Sequence, residues 1–120
     1  MITPKEFLEK ELEWGISFDN PDFLNLAKYT ADQLKILPIK SIMDFGAGTG
    51  VYSAAFHNAG FETNVYEIWD EHKEYIRKHA PYLNIIDKPI TIEMPSKKMM
   101  LIILSALVGA IGVLATLVIL

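Results

Sequence analysis

Two groups of residues can do chemistry together: the run Asp44-Phe45-Gly46-Ala47-Gly48-Thr49-Gly50 and, 17 residues after its last glycine, Glu67. Glycines lack the side chains that would hold a ligand away, and they let the backbone turn sharply. A helix starting at Val51 would aim unpaired amides and its positive dipole end at whatever lies over the turn. A carboxylate at about that distance lies across the crevice, where it can accept both hydroxyls of a ribose. The combination is a cradle for a nucleotide or nucleoside.

The spacing narrows the ligand. A phosphate-binding loop needs a Lys-Ser/Thr pair after its last glycine, and Val51-Tyr52 stands there. A dinucleotide fingerprint, G-x-G-x-x-G, would need glycine where Val51 is. What is present is an acid, Asp44, leading a G-x-G-x-G turn. At these residues the chain resembles the class I S-adenosylmethionine-dependent methyltransferases, whose first motif is an acid followed by x-G-x-G-x-G. The run Val65-Tyr66-Glu67-Ile68-Trp69-Asp70 is similar to that family's second motif.

The resemblance implies a cofactor, S-adenosylmethionine, and a set of residues to hold it. Gly46, Ala47, Gly48 and Gly50 form the turn, and Glu67 holds the ribose. Ile68 or Trp69 packs on the adenine, although ordinary packing explains Trp69 equally well. Asp87, at the end of a third strand, takes the place from which the family often bonds the adenine amino group. Asp44 orients the loop and meets the cofactor's amino group rather than performing catalysis. The resemblance spans roughly residues 20–87 and stops before the family's substrate-side strands, so it names no methyl acceptor and no catalytic residue. His57, His72 and His79 lack any metal-ligand pattern and read as solvated surface.

The elements that must position these residues follow from the pattern. Thr3-Pro4-Lys5-Glu6 is a helix start with a capping box, Phe7, Leu8 and Leu12 give it an apolar face, and Gly15 ends it. Asn20-Pro21-Asp22 starts a second helix carrying Phe23, Leu26, Ala27, Thr30, Leu34 and Leu37, and Pro38 stops it. A strand through Ile42, Met43 and Phe45 leads into the glycine turn. A helix then runs from Val51 to Ala59, with Gly60 as its cap. A strand over 62–67, a charged surface helix over 70–79 and a short strand through Leu83, Ile85 and Ile86 complete the series. This α/β order predicts the N-terminal half of a Rossmann-like doubly wound sheet, with about three parallel strands.

Composition changes sharply along the 120 residues. Every Lys, Arg, Asp and Glu lies in residues 1–98, where the net charge of −4 argues against a nucleic-acid partner. There is no cysteine, hence no disulfide framework and no thiolate chemistry. The first ten residues are too charged for a secretory signal. Residues 99–120 carry no charge, and as a helix would span about 33 Å, enough for a bilayer core of ~30 Å. The organisation predicted is therefore a cofactor-binding half-domain over 1–88, a linker over 89–98 and a transmembrane helix over 99–120. Lys97-Lys98 would keep the N-terminal domain on the cytoplasmic side of that membrane. Ser105, Gly109, Gly112 and Thr116 share one helical face, a stripe suited to close pairing of two copies.

Three functions remain open on the sequence. The first is a membrane-anchored, methyltransferase-like cofactor-binding half. The second is a non-enzymatic membrane protein with a remnant cofactor-binding or structural domain. The third is a truncated or joined chain without activity, in which the apolar tail replaces the usual second half.

Overall fold

Alternating helices and strands wind a single sheet in the computed structural model of the chain. The structure describes residues 2–87 in full and the backbone of 100–104 and 116–119. Helices α1 (Pro4–Glu13) and α2 (Pro21–Leu34) precede strand β1 (Ser41–Phe45). Then come α3 (Val51–Asn58), β2 (Glu62–Tyr66), α4 (Asp70–His79) and the two-residue β3 (Asn84–Ile85). Strands β4 (Met100–Leu104) and β5 (Thr116–Ile119) complete the sheet.

Local chemistry sets the boundaries of the first two helices. Thr3 caps α1 by accepting from the Glu6 amide at 3.1 Å, and Asn20 caps α2 through the Asp22 amide at 3.1 Å. Each helix places a proline in its first turn, where no amide partner is needed. Helix α2 ends at Leu34, short of the expected Leu37, and buries Phe23, Ala27, Ala31 and Leu34. Phe23, Ala27 and Leu34 belong to the face read from the sequence, whereas Leu26 of that face is 44% exposed.

Strand β1 is parallel to β2, with Asp44 opposite Val65, and β2 is parallel to β3. One cluster packs α2 and α3 together through Phe23, Ala27, Ala31, Ile42, Tyr52 and Phe56. A second joins Ala54 of α3, Val65 of β2 and Ile76 of α4. Both sides of the β1–α3–β2–α4 unit are thus fixed by apolar burial, and the turn after β1 is held between them.

The C-terminal region corrects the sequence reading. A single transmembrane helix over 99–120 was expected, but Met100–Leu104 is a strand parallel to β1, and Thr116–Ile119 is a strand antiparallel to β4. Among the described residues no helix is long and apolar enough to cross a membrane. The physical reason is an ambiguity of period. A strand covered on both faces reads as a continuous apolar run, as does a buried helix, and hydrophobicity alone does not separate them. The β-branched residues Ile102, Ile103, Val118 and Ile119 favour the extended form, and β1 offers a free edge for pairing. Thr116 opens β5, while Ser105, Gly109 and Gly112 of the small-residue stripe lie outside the described residues, as do the 89–98 linker and Lys97-Lys98.

Candidate nucleoside-binding site

The turn between β1 and α3 is built by left-handed backbone at alternate glycines. Gly48 has φ +62° and Gly50, the N-cap of α3, has φ +78°, conformations that L side chains rarely adopt. A Cβ on Gly50 would stand 2.8 Å from Cγ1 of Ile76, so this glycine also lets α4 pack closely. The Gly46 amide donates to the Tyr66 carbonyl at 2.7 Å, and the Gly50 amide donates to the Ala47 carbonyl at 3.0 Å. The turn is therefore stitched to the end of β2 and to itself.

Glu67 follows β2 directly and is only 5% exposed. Its two oxygens divide the work. Oε1 accepts from the Gly48 amide at 2.9 Å, and Oε2 accepts from the Trp69 amide at 3.0 Å. One carboxylate thus fixes both the glycine turn and the start of α4, and each oxygen keeps a second lone pair for a ligand hydroxyl. Asp44 is fully buried, and its Oδ2 accepts from the Ser53 hydroxyl at 2.6 Å. That contact ties β1 to the first turn of α3 and gives Asp44 an orienting part.

The sequence-derived residues do not all converge. Gly46, Gly48, Glu67, Ile68 and Trp69 line one cavity of about 130 Å³. Ala47 instead packs against the Val65–Ile76 cluster, and Gly50 faces Ile76. Asp87 is exposed and turned toward α4, pairing with Lys73 at 3.2 Å and Arg77 at 3.4 Å rather than lining the cavity.

Three cavity residues were not read as site residues: Phe7, Glu11 and His72. Here the expectation of solvated histidines fails for His72 outright and for half-buried His79 in part. His72 is 1% exposed, and its Nε2 lies 2.7 Å from Oε1 of Glu11, itself 3% exposed. An ionised carboxylate only accepts, so the imidazole N–H donates. The second ring nitrogen, Nδ1, is buried with no partner, an uncommon state for a buried polar atom. The edge of Phe7 meets Trp69 with ring centroids 5.5 Å apart. The sequence did hold a signal for Glu11: it follows Phe7 by four residues and so shares the apolar face of α1. His72 likewise stands four residues before the buried Ile76. Of the other two histidines, His57 is exposed and stacks on Tyr82, and half-buried His79 stacks on Tyr75 and Phe18. Among the described residues no group of three or more His, Cys, Asp or Glu side chains could hold a metal ion.

No family description and no curated protein matches the chain. Among solved structures it is similar to Streptomyces venezuelae DesVI, with a TM-score of 0.53 and 18% identity over 68% of this chain and 35% of that one. It is also similar to Thermoplasma acidophilum 1320, with a TM-score of 0.48 and 12% identity over 91% of this chain and 74% of that one. The chain spans about a third of the length of DesVI. At such identity the likeness to DesVI speaks to the fold alone, an α/β arrangement consistent with a Rossmann-like half.

Proposed function

We propose that this chain binds S-adenosylmethionine over the β1–α3 turn and is the cofactor-holding half of a methyltransferase-like protein. The observation that carries this reading is Glu67: a nearly buried carboxylate, directly after β2, with both oxygens aligned by the Gly48 and Trp69 amides. Such an acid takes the ribose hydroxyls, Gly46 and Gly48 leave room for the backbone to approach the ligand, and Ile68 and Trp69 flank the base. When bound, the cofactor supplies a sulfonium methyl group, whose transfer depends on placing an acceptor in line with it. Among the described residues that line the cavity, Glu11 and Glu67 are bonded within the protein, and His72 is held through Nε2 in a buried position, so none is presented to an acceptor from outside the cavity. Cofactor binding with little or no turnover by the chain alone follows from this reading.

Calorimetric titration of the full chain with S-adenosylmethionine, S-adenosylhomocysteine and NAD tests it. Saturable binding of the first two is expected, weakened by about 1–3 kcal/mol in Glu67→Ala. No saturable binding by the folded wild type, or tighter binding of NAD, contradicts it.

A further inference from the structure

Helix α1 lies over the glycine turn, yet the packing that holds it there is slight. Its only buried residue is a charged one, Glu11. Oε2 of Glu11 reaches to 3.1 Å from where a Cβ on Gly48 would stand, so the carboxylate sits at the turn itself. Phe7 touches Trp69 and His72, and among the described residues the side-chain bond that joins α1 to α4 is the Glu11–His72 contact. Beyond its C-terminus the chain turns at Gly15, with φ +84°, and is fixed again at buried Ile16. The Asn20 side chain donates to the Gly15 carbonyl at 2.8 Å and marks where that anchoring starts.

The space that α1 leaves beneath it is small for its chemistry. The cavity under α1 holds about 130 Å³. Pockets that enclose cofactor-sized ligands run to roughly 300–1,000 Å³. The cavity is half open, and what α1 restricts is the approach to Gly48, where the Glu11 carboxylate stands. His72 lines this cavity, and its Nδ1 is a buried polar atom left without a partner. An element with few buried apolar contacts is one that opens at low free energy.

We propose that α1 is a lid on the nucleoside cradle, hinged at Gly15 and latched by the Glu11–His72 bond, and that the latch must break before a nucleoside cofactor is admitted. The inference rests on the proposed cofactor reading for the identity of its ligand, but not for the motion. The latch keeps the binding-competent fraction small, so the apparent dissociation constant exceeds the intrinsic one by the inverse of that fraction. Weakening the latch therefore speeds binding, whereas the loss of a purely structural contact slows it or leaves it unchanged.

Two measurements on the full chain decide the matter. In stopped-flow mixing with S-adenosylmethionine, followed by tryptophan fluorescence, Glu11→Gln and His72→Phe should each raise the association rate constant by roughly 5-fold or more. An unchanged or lower rate in a variant that circular dichroism shows to be folded overturns the proposal. Hydrogen exchange without any ligand gives the second readout. Amides of residues 7–13 should exchange faster than those of α3 and β1 in the wild type, and faster still in Glu11→Gln, with α3 and β1 unchanged. If α1 amides exchange together with β1, the lid is refuted. If the wild type binds no S-adenosylmethionine, the cofactor reading falls and the exchange pattern alone decides the lid.

Discussion

The glycine turn and the helix that covers it are held by opposite means. In the turn, backbone amides of Gly46, Gly48 and Gly50 meet carbonyls or the Glu67 carboxylate, and apolar clusters pin the flanking elements. In the cover, a buried Glu–His contact and the ring contacts of Phe7 with Trp69 and His72 hold a helix with no buried apolar residue. The difference teaches where the fold ends and access begins. The cradle comes from the β1–α3–β2 unit itself, whereas the cover can be loosened with little loss elsewhere.

The largest effect expected in this comparison is on the cradle side. Gly50→Val forces a left-handed backbone on a β-branched residue and drives its Cβ into Ile76. Chemical denaturation should show a loss of roughly 2–5 kcal/mol. Ser53→Ala should lose about 1–2 kcal/mol, because buried Asp44 loses a short hydroxyl bond. Phe7→Ala on the cover should lose about 1 kcal/mol or less globally, since Phe7 is only partly buried, while exchange in α1 accelerates. An equal global loss for Phe7→Ala and Gly50→Val would erase the distinction between the two regions.

The smallest effect is one of pH. Burial pushes the Tyr52 phenol above its ordinary value of 10.0, and a hydrogen bond with the Thr30 side chain pulls it back in part. The folded value lies above the unfolded one, so this contribution is complete below pH 10 and is lost as pH rises through the folded value. Thermal melts from pH 9 to 11 should show a shallower decline for Tyr52→Phe than for the wild type. An identical decline would remove Tyr52 from the alkaline transition.

Much of the cradle was legible in the sequence because its signals are local. The caps Thr3 and Asn20, the glycine spacing and the acid after β2 each act within a few residues or across one βαβ step. The cover was not legible, since Glu11 and His72 are 61 residues apart and meet only when α1 folds over α4. Composition pointed the wrong way for His72, which reads as solvent-facing on a charged helix, and Glu11 was not singled out at all. The apolar tail misled for a different reason. Met100–Leu104 and Thr116–Ile119 carry no polar alternation, so length and hydropathy favoured a helix, and the pairing of β4 with β1 and of β5 with β4 decides instead for strands. Asp87 shows the converse case, a residue at the expected strand end whose side chain is drawn off by Lys73 and Arg77.

The proposed function requires a nucleoside cofactor over the glycine turn with its ribose on Glu67, whose Oε1 already accepts from the Gly48 amide. Amide chemical shifts of the isotope-labelled full chain, titrated with S-adenosylmethionine, test it most directly. The account predicts saturable shifts concentrated at residues 46–50 and 67–69, with smaller ones in α1 as the cover is displaced. Shifts confined to the groove between α2 and α3, lined by Lys28, Asp32 and Ala55, or no saturable shifts at all, would contradict it.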